Sequence, residues 1–237
     1  MSGYARGDRL MRAALQLAAR GMHVFPLRPR NKRPAVRQDW EGAATLDPDV
    51  IRRIWRAAPY NIGIATGPSG LLVVDLDSAR EGSTAGRVCD GRRTLAAVAR
   101  AADTAIPRAT FTVATPRGEH LYFRLPQDVR VSSTVGRLGP HVDTRAAGGY
   151  VVGPGSVLAN GRYRVVASVD PLPVPGWLLA RLRHAQGNDA SRVVLPTGRD
   201  TSAYVSAVVR GEADKVAVAL VGQRNQTLFG LQRDSVT

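Results

Sequence analysis

The sequence predicts an α+β chain rich in short strands. Two observations carry this: apolar residues fall at helical spacing near the beginning and end of residues 1–185, and between them runs a series of short apolar stretches bounded by Gly and Pro. The strongest stretch, LLVVDLD from Leu71 to Asp77, is apolar without alternation over its first four residues, as expected of a central strand covered on both faces.

Taken in order, Leu10, Ala13, Ala14, Leu17 and Ala18 share one face of a helix from Leu10 to Arg20, with Gly21 at its stop position. His23–Leu27 reads as a strand, and Arg28–Trp40 as a polar basic loop whose prolines suit an extended path. Asp47 before Pro48 is a cap and first-turn pair, and Val50, Ile51, Ile54 and Trp55 carry a second helix to Ala58. Strands follow at Asn61–Thr66 and Leu71–Asp77, joined by a turn at Gly67–Gly70. After a Gly- and Arg-rich loop, Thr94–Ala102 has helical composition. Pro107 announces a strand at Thr110–Ala114, and the tight turn TPRGEH leads into a strand at Leu121–Leu125. Further strands are expected at Val142–Thr144, Tyr150–Val152 and Tyr163–Val166, then a Pro-rich corner at Pro171–Pro175 and a closing helix at Trp177–His184. Residues 186–200 carry Gly, Asn, Asp and Ser without apolar periodicity and read as a linker. Residues 201–237 read as a short helical segment, and no internal repeat is present.

Composition bounds the function. The chain has 237 residues, 44% hydrophobic, with 33 Lys+Arg against 19 Asp+Glu and a net charge of +14. That apolar fraction excludes wholesale disorder, collagen and coiled-coil classes. No apolar run approaches the roughly 18 residues of a spanning helix, and the N-terminus lacks the pattern of a secretory signal, so no membrane role and a cytoplasmic location are expected. The single cysteine, Cys89, excludes an internal disulfide and a Cys-rich zinc knuckle, so a metal would be held by carboxylates or imidazoles. The positive charge points to a polyanionic partner; base composition of the gene is the competing explanation.

The sharpest local chemistry is Asp75-Leu76-Asp77. Alternation on a strand sends both carboxylates to one face, roughly 6–7 Å apart, able to bracket divalent cations. Oxygen-only ligation selects Mg²⁺ or Mn²⁺, which makes phosphoryl transfer the natural chemistry; two ordinary residues at a strand end are the competing reading. Asp143 and Arg145 in VDTR share a face in the same way. They could complete a two-metal site and neutralise a triphosphate, or form a surface ion pair. His120, after the Gly118 turn, could meet a nucleotide phosphate with help from Arg117. Arg28, Arg30, Lys32, Arg33 and Arg37 make the first loop a candidate for a nucleic-acid backbone. The turn GPSG lacks a P-loop's Lys-Ser/Thr, and GxGxxG and GxSxG are both absent, which disfavours the folds built on them. Thinly spread aromatics argue against a stacking platform as the main recognition device.

In order, GMHVFPLRPRNKRPA (Gly21 to Ala35), WEGAAT (Trp40 to Thr45), NIGIATG (Asn61 to Gly67), LLVVDLDS (Leu71 to Ser78), TPRGEHLYF (Thr115 to Phe123) and VDTRAAGGYVVGPGSV (Val142 to Val157) resemble the bifunctional primase-polymerase domain of the archaeo-eukaryotic primase superfamily, found in replication proteins of phages, plasmids and integrated elements. The resemblance spans Ala14 to Leu182. It implies a primase-polymerase fold, with a mixed or antiparallel sheet flanked by helices, over residues 1–185. It implies that Asp75, Asp77 and Asp143 form a catalytic triad binding two Mg²⁺ or Mn²⁺ ions, and that His120 contacts the incoming triphosphate with Arg117, Arg145 and Lys32 as basic neighbours. Single-stranded DNA template and nucleoside triphosphates are the implied partners. Without a Walker A motif, unwinding is expected from a separate helicase.

Two departures stand out. A small hydroxyl residue is usual two positions before the histidine, where this chain has Gly118, followed by Glu119; an acid there would oppose triphosphate binding. The usual second proline before Ser156 is Gly155. A nucleic-acid-binding protein that has lost turnover, and a metal-dependent nuclease, are the alternatives the residues leave open.

Overall fold

The computed structural model describes residues 2–36, 38–78, 90–107 and 109–190, all within one unit, Met1–Ala190. Arg37, Cys89, most of the expected linker and the expected C-terminal helical segment lie outside the described residues.

The first helix, α1 (Ser2–Ala19), begins earlier than its apolar pattern suggests and buries Leu10, Ala14, Leu17 and Ala18. It ends in a Schellman arrangement: Gly21 takes φ +74°, its N–H donates to Ala18 O at 2.9 Å, and Met22 N–H donates to Leu17 O at 3.1 Å. Strand β1 (Val24–Leu27) follows, then α2 (Pro48–Ala57), whose cap Asp47 accepts from the N–H groups of Asp49 and Val50 at 2.7 and 3.3 Å. Next come β2 (Asn61–Ala65), β3 (Leu71–Asp77) and α3 (Gly91–Arg100). Helix α3 starts three residues before the expected Thr94, because Asp90 caps it by accepting from Arg93 N–H at 2.7 Å.

The remaining elements are β4 (Thr112–Thr115), β5 (Gly118–Arg124), β6 (Val142–Arg145), β7 (Tyr150–Val152), the short pair β8 (Val157–Leu158) and β9 (Gly161–Arg162), β10 (Arg164–Ala167), β11 (Leu172–Pro173) and α4 (Gly176–Ala190). The Pro-rich corner thus contains a strand, β11, parallel to β5. Helix α4 is anchored by buried Leu178 and Leu182 and runs on through residues 186–190, where composition predicts linker. A nucleated helix propagates with one hydrogen bond per added residue, which carries it past its apolar anchor.

Among the described residues the strands form a three-stranded sheet, order β1-β2-β7, and a six-stranded sheet, order β10-β4-β5-β3-β6 with β11 on β5. Apart from β5–β11 the pairings are antiparallel, so the architecture is α+β with a mixed main sheet. Strand β3 lies between β5 and β6, and its alternation feeds two cores. Leu71 and Val73 join the core shared with α1, α2 and the smaller sheet, while Leu72, Val74 and Leu76 join the one beneath α3 and α4. Period two therefore puts Asp75 and Asp77 on the Val73 face, just beyond the end of the first core.

Candidate active site

Register assembles the site. Asp75 on β3 is the direct partner of His120 on β5 and of Asp143 on β6, so three candidate residues stand side by side across adjacent strands. Arg145 pairs with Val73, and Asp77 pairs with Gly118. These pairings send Asp75, Asp77, His120, Asp143 and Arg145 to one sheet face, since each lies an even number of steps from its neighbours.

The contacts are specific. His120 Nε2 lies 3.4 Å from Asp75 Oδ1, with the imidazole only 5% exposed. Asp143 accepts from Gly136 N–H through Oδ1 at 3.0 Å and from Arg145 Nη2 through Oδ2 at 3.1 Å. Burial pushes the Asp75 carboxyl up, but the hydrogen bond and charge offered by His120, with the Arg145 and Lys32 cations, outweigh it and hold the group below the usual carboxylate range. Asp77 goes the other way: burial and the negative charges of Asp75 and Asp143 raise it, against weaker opposition from Arg117 and Lys32. Between them, Asp75 and Asp77 thus feel each of the other five residues singled out in the sequence, His120, Asp143, Arg145, Arg117 and Lys32.

Lys32 arrives by a route the sequence does not reveal. The first basic loop is folded back rather than extended, with Arg28 N–H donating to Arg33 O and Ala35 N–H to Pro26 O, both at 2.9 Å. Asn61 Nδ2 donates to Asn31 O at 3.2 Å and Tyr150 OH to Lys32 O at 3.1 Å, tying the loop to the central strand β2 and the edge strand β7 of the smaller sheet. Tyr150 also packs with Phe25 and Trp40, ring centroids 4.9–5.3 Å apart, an aromatic cluster that scattered sequence positions conceal. Tyr122 and Tyr163 are two further neighbours missed by sequence reading. Both phenols are pushed up by burial and then by the nearby Asp75 carboxylate. Tyr122 could have been found by its two-residue spacing from His120; nothing local marks Tyr163.

The two departures acquire physical reasons. Glu119 occupies the opposite face of β5 from His120 and is ion-paired with Arg92 of α3, so it is not the acid beside the triphosphate that sequence adjacency suggests. A Cβ at Gly118 would overlap the Leu76 carbonyl, which excludes the usual hydroxyl residue while β5 keeps this close approach. Gly155 has φ +92°, a value closed to proline.

The donor chemistry and register fit a hard divalent ion: carboxylates on neighbouring strands, crowded enough that Asp75 and Asp143 raise Asp77. As oriented, however, no group of three His, Cys, Asp or Glu among the described residues forms a ready-made metal site. Asp75 is turned to His120 and Asp143 to Arg145.

Asp75, Asp77 and Asp143 thus share one face of a mixed sheet, with the cations of Lys32, Arg117 and Arg145 near enough to act on Asp75 or Asp77. Residues 14–177 match the family model described as bifunctional DNA primase/polymerase, N-terminal, and the chain belongs to that family. Its general activity is that of a nucleotidyltransferase-type DNA primase/polymerase, with DNA and nucleotides as substrates. No curated protein matches the chain significantly. Among the described residues no helix is long and apolar enough to cross a membrane.

Proposed function

We propose that this chain makes or extends primers on single-stranded DNA, within a primase-like fold of the kind carried by phage, plasmid or integrated replication elements. In this reading Asp75, Asp77 and Asp143 hold Mg²⁺ or Mn²⁺, and Lys32, Arg117 and Arg145 receive the triphosphate. The observation that carries it is the register of Asp75 against Asp143, inside the matched family region and ringed by those cations.

The reaction joins a primer or initiating 3′-oxygen to the α-phosphorus of a nucleotide and releases pyrophosphate. A bound divalent ion would supply a lowered hydroxyl pKa and charge neutralisation for the leaving group. The protein's own groups act by position. Arg145, paired with Asp143, would meet the triphosphate, and Lys32, whose backbone carbonyl accepts from Tyr150 OH, would add a positive charge. None of the carboxylates needs to shuttle a proton. A separate helicase would supply any unwinding.

The absence of a ready-made metal site among the described residues favours one second reading, a protein that binds DNA and nucleotide without turnover. Incorporation of labelled nucleotide on single-stranded templates, with Mg²⁺ or Mn²⁺, separates the two. Metal-dependent synthesis supports the first reading, and nucleotide binding without synthesis supports the second. DNA degradation without added nucleotide would instead identify a nuclease.

A further inference from the structure

Arg30 adopts a backbone conformation that an arginine rarely takes. Pro29 and Arg30 are the central residues of a turn closed by Asn31 N–H donating to Arg28 O at 3.1 Å, and Arg30 has φ +58°. Proline followed by a residue of positive φ is the type II pattern, whose third position favours Gly or Asn because a Cβ is crowded there. The other non-glycine residues of positive φ among the described ones are Asp39, Asp103 and His141, of types enriched in that region. Arg30 is of neither type, and a glycine would hold the same turn with less strain.

The fold itself makes no use of the Arg30 side chain. The turn is held by its neighbours: Arg28 N–H donates to Arg33 O and Arg33 N–H to Asn31 Oδ1, both at 2.9 Å, and Asn61 Nδ2 donates to Asn31 O at 3.2 Å. Arg28 and Arg30 are exposed, and neither side chain has an ion pair or hydrogen bond among the described residues. Strain kept at an exposed residue with no partner in its own chain points to a partner outside it.

The loop borders the acidic face. Lys32, further along it, is one of the Lys and Arg side chains that lower Asp75 and Asp77, the others being Arg145 and Arg117. Arg33 acts on the Tyr150 phenol together with Arg145. Arg28 and Arg30 are not among the charges that act on those carboxylates. A triphosphate bridged to the carboxylates through a metal needs cations beside them, as Lys32 is. Cations that stand off from them, on a loop already fixed in shape, suit a longer polyanion entering from outside, and a guanidinium matches the paired oxygens of a phosphodiester.

We propose that Arg30, with Arg28 at the other end of the same turn, grips the phosphate backbone of the single-stranded DNA template at the edge of the acidic face, leaving Lys32 of that loop to the triphosphate. This rests on the reading of the chain as a primase-polymerase that acts on single-stranded DNA. It divides one basic loop between two anions and gives a reason for an arginine where the turn favours glycine.

The test uses the full chain and compares Arg30→Gly, Arg28→Ala and Lys32→Ala with wild type. Binding to a fluorescein-labelled oligothymidylate is followed by anisotropy at several salt concentrations, without nucleotide. Affinity for a fluorescent triphosphate is measured in parallel, and urea unfolding reports stability. Arg30→Gly is expected to unfold at a urea midpoint equal to or above that of wild type, so a binding defect in it is not a folding defect. It should bind the oligonucleotide several-fold more weakly, with a log–log salt slope shallower by about 0.7, and bind the triphosphate as wild type does. Arg28→Ala should behave alike in DNA binding, whereas Lys32→Ala should weaken the triphosphate more than the oligonucleotide. Wild-type DNA affinity and salt slope in Arg30→Gly and Arg28→Ala would overturn the proposal. So would a loss of triphosphate affinity in Arg30→Gly as large as its loss of DNA affinity, or a lowered urea midpoint, which would give Arg30 a use within the fold. No binding of the oligonucleotide by wild type would show that the single-stranded DNA reading itself has failed, a result distinct from failure at the turn alone.

Discussion

Gly118 of β5 lies so close to Leu76 of β3 that a Cβ at residue 118 would overlap the Leu76 carbonyl and come within 3.2 Å of Asp77 Cα. The same strand end is pressed from the other side by Gly91, where a Cβ would overlap the His141 carbonyl and lie 3.0 Å from Leu76 Cα. Two residues without side chains therefore clamp the backbone that carries Asp77.

Gly118→Ser, which restores the hydroxyl usual at this position, is expected to destabilise the fold. Overpacking of this kind costs about 1–3 kcal/mol, and here the obstruction is backbone rather than a side chain free to rotate. Urea unfolding of the variant should show a lower midpoint than wild type. Equal stability would mean that β5 can move away from Leu76 without penalty.

Glu119→Gln should leave triphosphate affinity unchanged, because the carboxylate pairs with Arg92 on the far side of the sheet. The pair is partly exposed, with Arg92 62% and Glu119 16% accessible, so its loss should reduce stability by about 1 kcal/mol or less. A marked gain in nucleotide affinity, measured by fluorescence titration, would instead put Glu119 in the site.

The ordering of Lys32 by Tyr150 predicts a binding effect from a residue with no charge of its own. Tyr150→Phe keeps the packing against Phe25 and Trp40 but removes the donor to Lys32 O. A single hydrogen bond contributes about 0.5–1.5 kcal/mol, so triphosphate affinity should weaken roughly two- to tenfold if that bond holds Lys32 in place. Unchanged affinity in equilibrium binding would detach the loop from the site.

DNA affinity should fall steeply as salt rises. With a net charge of +14, an electrostatic contact of several phosphates gives a log–log slope of about −0.7 for each phosphate neutralised on a single strand. A flat dependence in fluorescence anisotropy would return the charge to base composition.

The parts of this fold legible in the sequence are those made by local chemistry. Asp47 with Pro48 marks the start of α2, Gly21 the end of α1, and the unbroken apolar run of Leu71–Val74 a strand covered on both faces. What was not legible depends on distant partners. The Arg28–Arg33 loop folds back where its prolines suggest extension, because Tyr150 and Asn61 hold it from elsewhere in the chain. Strands β8, β9 and β11 are two residues each, too short to show a period.

The same contrast holds at the site. Alternation is enough to put Asp75 with Asp77, and Asp143 with Arg145, but only strand order brings the two pairs together. Glu119 illustrates the converse, since its neighbour in sequence, His120, belongs to the opposite face. Tyr163 reaches His120 from a segment just before β10, and no spacing relates the two positions.

The most direct test of the central claim is templated nucleotide incorporation by wild type and by Asp75→Asn, with single-stranded DNA affinity measured on both. Asp75→Asn keeps the size of the side chain and removes the charge that a divalent ion would meet. The account predicts metal-dependent synthesis by wild type, a loss of orders of magnitude in the variant, and little change in DNA affinity. Synthesis by Asp75→Asn at the wild-type rate would contradict it.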